Sequence, residues 1–227
     1  MKNCINIAFV LSFTMSFYCD ANQSIPNDFV TINTFIPEAL FDIKYHSKDN
    51  FVGEVIDGYN ADKCILHKAA ANALMSAYRQ ARDAKLNLKI FDCYRPQRAV
   101  NHFIRWVNDL NNTATKHNYY PNLAKNSLLG PYIAAKSGHS RGSTLDLTLV
   151  KKVNGQWQEL DMGSAFDLFD PLSNTENSNI SELQRKNRLL LKKIMIEAGF
   201  LDYDMEWWHF TLKNQAYPNH YFDFEVL

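Results

Sequence analysis

The sequence lacks an excess of either charge. Its 24 lysines and arginines balance 24 aspartates and glutamates, so the formal net charge is zero. No global electrostatic field therefore attracts nucleic acid or anionic lipid, and we expect no nucleic-acid partner. The sequence also has no internal repeat and no low-complexity segment, which excludes a repeat array and an extended disordered chain.

Long apolar runs are absent beyond residue 17. Residues 5–17, INIAFVLSFTMSF, follow Lys2 and are too few for a comfortable membrane span. Cys19 and Ala21 supply small residues for a cleavage site, so residues 1–21 are predicted to be a secretory signal peptide. The alternatives are a buried N-terminal helix and a lipoprotein attachment at Cys19. We expect the mature chain, residues 22–227, to be exported, periplasmic or extracellular, and not inserted in a membrane.

Cysteine is scarce. Two of the four cysteines lie within the predicted signal peptide, which leaves Cys64 and Cys93. In an oxidising compartment two remaining cysteines can pair as a disulfide. The alternative is two buried free thiols, since the sequence does not show whether the two Cα atoms come within reach of each other.

What is present suits one globular domain over residues 22–227, because the chain is 46% hydrophobic and 21% charged. Apolar residues at helical spacing predict long helices over 66–85 and 180–200, with Ser181 as the N-cap of the second. Pro96 suits the first turn of a shorter helix over 95–110.

The remaining segments predict strands and loops. The expected strands cover residues 39–45, 86–94, 144–150 and 206–212, with a hairpin over 151–160 that turns at Asn154-Gly155. Residues 22–34 are expected to form an extended arm. Helices and strands do not alternate as regular βαβ units, so the predicted fold class is α+β, an antiparallel sheet backed by helices.

Asp146 occupies an unusual position within LDLTL. The two-residue period of a strand places Leu145, Leu147 and Leu149 on one face and Asp146 with Thr148 on the other. One interpretation is a half-solvated strand whose carboxylate faces water. The other is a carboxylate that points into a site holding a cation.

Three further residues favour the cation site. His139 lies seven residues before Asp146, across Gly142, which permits a tight loop. Glu206 and His209 lie in the aromatic segment EWWHF, where a buried glutamate is costly without a partner. Two histidines and one carboxylate are the ligand set of a catalytic zinc, and another carboxylate can serve as general base. The sequence contains no HExxH, which excludes the helical zinc-protease pattern.

The spacing of Glu206 and His209 sets a geometric condition. On an ideal strand, residues three apart point to opposite faces. Both can reach one metal only if the strand bends, bulges or begins near Glu206. Arg95, where a strand is followed by a helix, can direct its donors into a pocket; the alternative is a surface arginine at a helix terminus.

Three segments taken together resemble a known family. SGHSRGSTLDLTL, DCYRPQRAVN and EWWHF are similar to the signatures of D-alanyl-D-alanine dipeptidases of the VanX type. These are zinc metallopeptidases related to DD-carboxypeptidases, and they share a fold with the Hedgehog signalling domain. The resemblance covers nearly the whole mature chain, from FDIKY to YPNHYFDF, and the combination in this order is highly specific.

The resemblance implies a role for each candidate residue. His139, Asp146 and His209 would bind one zinc ion per chain. Glu206 would take a proton from the attacking water, and Arg95 would stabilise the tetrahedral oxyanion. The implied reaction is zinc-dependent hydrolysis of the small dipeptide D-Ala-D-Ala.

The resemblance also implies three residues of the substrate pocket. Ser137 would lie beside the substrate, Asp167 would meet the free ammonium of a dipeptide, and Tyr45 would line the same pocket. Each has a structural alternative: Ser137 as a loop residue, Asp167 as a turn former and Tyr45 as a core residue.

Other functions on this pattern stay open. A DD-carboxypeptidase or a peptidoglycan endopeptidase would use the same zinc fold, and a non-catalytic zinc-binding domain is a third alternative. Glu206 and Arg95 together argue against the last, because a structural zinc site needs neither. The expected export favours a role on free D-Ala-D-Ala or related wall fragments outside the cytoplasm. The oligomeric state is left open.

Overall fold

The computed structural model describes residues 24–227, so the predicted signal peptide, 1–21, lies outside the described residues. The strands of this part of the chain are β1 (Phe29–Thr31), β2 (Leu40–Phe41), β3 (Ile65–His67), β4 (Leu86–Asp92), β5 (Thr144–Val153), β6 (Gln156–Glu159), β7 (Phe200–Tyr203) and β8 (Glu206–Leu212). The α-helices are α1 (Ile32–Phe35), α2 (Lys68–Asp83), α3 (Gln97–Asn108), α4 (Lys116–Tyr119) and α5 (Glu182–Glu197).

The main sheet runs in the order β2-β4-β5-β8-β7, and β6 pairs with the end of β5. Its pairings are antiparallel except that β2 runs parallel to β4. β1 and β3 form a separate antiparallel pair. The predicted α+β class is confirmed, with one parallel pair that the expected antiparallel sheet did not include.

The two long helices back this sheet. α2 packs on β4 and against α5, which in turn packs on β7. α2 buries small residues and one leucine at helical spacing, which lets it approach the sheet closely: Ala70, Ala71, Leu74, Ala77 and Ala81. The predicted N-cap of α5 is confirmed, because the Ser181 hydroxyl accepts the N–H of Gln184 while the Gln184 side chain accepts the N–H of Ser181.

Two predicted segments near the start of the domain are wrong in part. The strand expected over 39–45 ends at Phe41, and a 3-10 turn, Lys44–His46, follows it. This turn buries Tyr45, so packing of one aromatic ring overrides the strand preference of the segment.

The extended arm expected over 22–34 is also wrong, because β1 and α1 form within and just beyond it. Ile32 is fully buried, and its N–H donates to the carbonyl of Cys64 at 2.8 Å. Contacts distant in sequence therefore order this segment, and such contacts leave no local pattern.

The hairpin prediction is confirmed. Asn154 and Gly155 join β5 to β6 with φ angles of 50° and 83°. Positive φ at both central residues is the backbone of a type I′ turn, for which Asn-Gly is the preferred pair.

β5 lies at the centre of the main sheet and is buried on both faces from Thr144 to Val150. Asp146 is only 2% exposed, and Thr148 beside it is fully buried. The interpretation of β5 as a half-solvated strand is therefore wrong. A carboxylate at this depth requires positive charge or hydrogen-bond donors around it.

Within residues 24–227, none of the helices combines the length and the apolar character needed to cross a membrane.

Candidate active site

The register of the main sheet brings three polar side chains side by side. Asp146 of β5 is paired with Asp92 of β4 on one side and with His209 of β8 on the other. Directly paired residues project from the same face of a sheet, so these side chains converge. A register shift in β4 between Ile90 and Asp92 interrupts the ladder at this point.

His139 reaches this cluster from a 3-10 turn, Gly138–Arg141, that precedes β5. The Ser137 hydroxyl caps the turn by accepting the N–H of His139 at 3.2 Å. The turn ends at Gly142, where φ is 75° and a Cβ atom would lie 2.2 Å from the Phe29 ring. The tight loop predicted at Gly142 therefore requires glycine both for its conformation and for space.

A backbone carbonyl fixes the orientation of the His139 ring. Nδ1 lies 2.7 Å from the carbonyl oxygen of Cys93. A carbonyl oxygen only accepts hydrogen bonds, so Nδ1 carries a proton and Nε2 is the nitrogen whose lone pair is left for a metal ion. That lone pair faces His209 and Asp146 across the cluster.

The distances among the three side chains fit one metal ion. His139 Nε2 is 3.2 Å from His209 Nδ1 and 3.4 Å from Asp146 Oδ2, and His209 Nδ1 is 3.1 Å from Asp146 Oδ1. A tetrahedral ion with bonds of about 2.0–2.1 Å separates two ligand atoms by about 3.3 Å. The donor set of two imidazoles and one carboxylate therefore fits a small divalent metal.

The state of the Asp146 carboxylate supports this fit. Its Oδ1 atom is buried and makes no hydrogen bond of acceptable geometry with the described residues. Burial opposes ionisation of Asp146, but the neighbouring His139 and His209 outweigh it and hold its pKa below the usual range. The group is thus an ionised carboxylate with an unused lone pair, as a metal ligand must be.

Glu206 meets the geometric condition set by its spacing from His209. It is the first residue of β8, and the register between β7 and β8 shifts next to it, at Asp202 and Tyr203. Its Oε2 atom therefore comes within 3.6 Å of His209 Nδ1, although the two residues are three apart. A strand that begins at Glu206 lets both side chains face one point.

The surroundings of Glu206 change its acidity. Burial is the largest influence, and the Asp146 carboxylate adds to it, while His209 and Arg95 oppose them. Together they raise the pKa of Glu206 to about 7 in the protein without metal. A carboxyl group of this pKa can both accept and return a proton near neutral pH.

Arg95 points into the site and is held on two sides. Its Nε and Nη2 atoms lie 3.0 and 2.9 Å from Asp92 Oδ2, and Nη2 is 3.7 Å from Asp146. The guanidinium also lies over the rings of Tyr45 and Phe103, at 4.9 and 5.1 Å from their centroids. The alternative of a surface arginine at a helix terminus is therefore wrong.

Tyr45 and Asp167 form a pair on another wall of the site. The Tyr45 hydroxyl donates to Asp167 Oδ2 at 2.8 Å, and both side chains are buried. Burial raises the pKa of Asp167 well above its usual value, and the charge of Asp146 adds to the effect. Asp167 has a φ of 59°, so its backbone is a turn while its carboxyl group faces the cavity.

One cavity of about 220 Å³ joins all of these groups. The eight residues predicted for catalysis, metal binding and substrate binding all line it: Tyr45, Arg95, Ser137, His139, Asp146, Asp167, Glu206 and His209. The segment from Gly130 to Ala134 forms part of its wall, and the Tyr203 hydroxyl lies 3.4 Å from the carbonyl of Pro131 at its edge.

A protein-family model described as D-Ala-D-Ala dipeptidase, Peptidase_M15, matches residues 26–227. The chain belongs to this peptidase family. The match spans every strand and helix described above, so the site lies within the segment that defines the family.

Curated relatives agree with the assignment to the dipeptidase family. A D-alanyl-D-alanine dipeptidase of Streptomyces coelicolor is 40% identical over 200 residues, which are 88% of this chain and 98% of the relative. One of Enterococcus faecium is 40% identical over 198 residues, 85% of this chain and 97% of the relative. One of Escherichia coli is 33% identical over 192 residues, 84% and 88% of the two chains.

Two residues behind the site were not among those predicted from the sequence. Asp92 is fully buried, and it accepts from the Tyr59 hydroxyl at 2.6 Å and from Arg95 while lying 3.3 Å from His139 Nδ1. Asp92 could have been found from the sequence, because it is a carboxylate within the largely apolar segment KIFDC, as Asp146 is within LDLTL. Tyr59 has no comparable signal, because it comes from a loop.

The two cysteines outside the predicted signal peptide lie directly behind this family site. A disulfide joins Cys64 to Cys93, whose Cα atoms are 5.2 Å apart. Cys93 is also the residue whose carbonyl holds His139. The disulfide and the carbonyl that orients His139 therefore belong to the same residue.

Proposed function

We propose that this chain is a zinc-dependent dipeptidase that hydrolyses D-Ala-D-Ala outside the cytoplasm. The observation that carries the proposal is the convergence of a His-Asp-His ligand set, the Glu206 carboxylate and the Arg95 guanidinium in one small cavity. The names of the relatives supply the substrate.

His139, Asp146 and His209 would hold the zinc ion through Nε2, a carboxylate oxygen and Nδ1. Zinc held by these residues would supply Lewis-acid polarisation of a water and of the peptide carbonyl. The Cys93 carbonyl keeps His139 in the tautomer that leaves Nε2 unprotonated.

Glu206 is assigned the proton transfers. Its carboxylate accepts a proton from the attacking water, and it later gives that proton to the nitrogen of the departing D-alanine. The carboxylate of Glu206 suits these steps because it lies in the same cavity as the three proposed ligands, with Oε2 3.6 Å from His209 Nδ1.

Arg95 is assigned the developing negative charge of the carbonyl oxygen. Two of its nitrogens are engaged with Asp92, which fixes the direction of the guanidinium before any substrate arrives. A donor that needs no reorganisation during the reaction stabilises the transition state more than it stabilises the ground state.

The substrate-binding assignment rests on the Tyr45–Asp167 pair and on size, since the ammonium of a bound dipeptide would offset the burial that raises the pKa of Asp167. Asp167, hydrogen-bonded by Tyr45, would receive the free ammonium of the dipeptide, and Ser137 would lie beside the bound substrate. A cavity of about 220 Å³ is below the usual range for drug-sized ligands, roughly 300–1,000 Å³, and so suits a small ligand. We propose no nucleic-acid partner.

The location outside the cytoplasm rests on two observations. Residues 1–21 have the pattern of a signal peptide, and the Cys64–Cys93 disulfide suits an oxidising compartment. A working site there would act on free D-Ala-D-Ala or on related wall fragments.

The test uses purified protein without the first 21 residues, assayed with D-Ala-D-Ala, with mixed-chirality dipeptides and with a wall pentapeptide, each with and without a chelator. Hydrolysis of D-Ala-D-Ala that the chelator abolishes and zinc restores is the expected result. Release of D-alanine from the pentapeptide at a higher kcat/KM would instead assign a DD-carboxypeptidase. Zinc binding without hydrolysis of any of these peptides would assign a non-catalytic module.

A further inference from the structure

The charges on the walls of the cavity are unequal. Asp146, Asp167 and Glu206 contribute carboxyl groups, and Arg95 and Lys136 are the arginine and lysine side chains among the described lining residues. The substrate of the proposed function carries an ammonium at one end and a carboxylate at the other. Its carboxylate therefore requires a cation that is not already paired with an acid.

Arg95 does not meet that requirement. Its guanidinium is paired with Asp92 through two nitrogens and lies between the rings of Tyr45 and Phe103. It is 13% exposed and fixed deep in the site, where the peptide carbonyl would lie.

Lys136 differs from Arg95 in each of these respects. It is exposed, directly precedes Ser137, and lines the cavity from the connection leading to the His139 turn. Within residues 24–227, its ammonium has no carboxylate within the 4.0 Å of an ion pair. Among the described residues it lies instead over the ring of Tyr221, whose centroid is 4.8 Å from Nζ.

Tyr221 is itself held in place. Its hydroxyl oxygen lies 3.5 Å from Nη1 of Arg141, whose guanidinium carbon is 5.7 Å from the ring centroid. Arg141 is anchored in turn by donation from Nε to Gln215 at 2.7 Å. An aromatic face attracts an ammonium without cancelling its charge, so Tyr221 holds Lys136 near the cavity while leaving it able to bind an anion.

We propose that the Lys136 ammonium binds the free α-carboxylate of the substrate and that Tyr221 is the residue that positions it. This inference rests on the proposed function. It assigns the selection of a free carboxyl terminus to Lys136, as Asp167 would select a free amino terminus. A peptide needs both free ends to satisfy both residues, and a dipeptide carries its two free ends on adjacent residues.

Binding measurements test this without relying on turnover. In zinc-loaded protein carrying Glu206→Gln, calorimetry would give Kd for D-Ala-D-Ala and for its carboxy-terminal amide, with and without Lys136→Met. We expect Lys136→Met to raise Kd for the acid about tenfold and to leave Kd for the amide unchanged, as loss of one charged contact implies. Lys193→Met, on an exposed face of α5, is the matched control and should alter neither.

Two further variants distinguish a specific effect on carboxylate binding from a general disturbance of the fold. Lys136→Arg keeps the charge and should retain most of the preference for the acid over the amide. Tyr221→Leu removes the ring and should lower that preference while leaving the affinity for the amide unchanged. A variant that only disturbs the fold would weaken both ligands together.

Failure of the inference differs from failure of the proposed function. If Lys136→Met affects acid and amide equally, or affects neither, Lys136 is not the carboxylate anchor, even though the unmodified enzyme hydrolyses D-Ala-D-Ala. If the unmodified enzyme with zinc neither binds nor hydrolyses D-Ala-D-Ala, the proposed function falls and the inference falls with it.

Discussion

Nδ1 of His139 donates a hydrogen bond of 2.7 Å to the carbonyl oxygen of Cys93. This contact sets the free nitrogen of the ring toward Asp146 and His209. The proposed metal site therefore depends on backbone as well as on side chains, because the residue that follows β4 determines which nitrogen of His139 is available.

Asp92 lies behind the same contact and is expected to act as a positioning residue. Asp92→Asn should lower zinc affinity or kcat by roughly 10–100-fold, because one carboxylate supports both His139 and Arg95. Zinc titration and steady-state kinetics on the same preparation would measure the two effects. Asp49→Asn, at a largely exposed carboxylate, is the control, and an equal effect of both variants would contradict the assignment.

Glu206→Gln should separate chemistry from metal binding. The amide cannot accept the proton of water, so kcat should fall by roughly 10²–10⁴-fold. Zinc content, measured by atomic absorption, should remain near one ion per chain. Turnover close to that of the unmodified enzyme would remove Glu206 from the mechanism.

His209→Ala is the complementary change for that experiment. It removes one of the three ligand atoms, so the same measurement should show loss of zinc. Full zinc occupancy in this variant would show that the ligand set is wrong, whatever the result at Glu206.

The sequence predicted the site better than it predicted the segments around it. Asp146 and Glu206 were recognisable because a carboxylate within apolar or aromatic residues needs a reason to be there. Arg95 was singled out by its position between a strand and a helix and was given its role by the resemblance to the family, which alone pointed to Asp167; both line the cavity. The roles of these residues remain predictions for the experiments above.

The parts of the fold that were missed depend on contacts between distant segments. β1 and α1 form because Ile32 is buried and its N–H donates a hydrogen bond to the carbonyl of Cys64. The parallel pairing of β2 with β4 connects residues about 50 positions apart. Local periodicity carries no information on such pairings. The helices α2 and α5 and the Asn154-Gly155 turn were predicted correctly, because the residues that determine each of them lie close together in the sequence.

The disulfide should affect stability and the site together. The double variant Cys64→Ala/Cys93→Ala removes a link between residues 29 positions apart, which should lower the free energy of unfolding by about 3–4 kcal/mol. Because the Cys93 carbonyl also holds His139, zinc affinity should fall as well. Denaturant unfolding and zinc titration would measure the two effects. Unchanged zinc affinity in the folded variant would show that β4 keeps its place without the covalent link.

Asp42 is expected to make stability depend on pH. Its Oδ2 atom lies 3.0 Å from Lys44 Nζ and 2.7 Å from Lys89 Nζ. Burial opposes ionisation of Asp42, but the two lysines outweigh it and lower its pKa in the folded protein. The contribution of Asp42 to the free energy of unfolding is thus fully present above its pKa in the unfolded chain, about 3.9. It is lost as the pH falls through the lower pKa of Asp42 in the folded protein.

Asp42→Asn should therefore lower the free energy of unfolding at pH 7 by about 0.5–1 kcal/mol, a modest value because the group is partly exposed. The difference between the two proteins should disappear below the folded pKa of Asp42. Urea unfolding at several pH values would show the trend, and a constant difference at all pH values would rule it out.

The division of the ligands along the chain has a consequence for biosynthesis. His139 and His209 are 70 positions apart, and β8, which carries His209 and Glu206, is made after every other strand of the main sheet. A nascent chain that has not yet added β8 holds two of the three proposed ligands and lacks the proposed base. If His139, Asp146 and His209 bind zinc as proposed, we expect zinc uptake and peptide cleavage to begin only when the last strand joins β5, and proteolysis that removes β8 to end both at once.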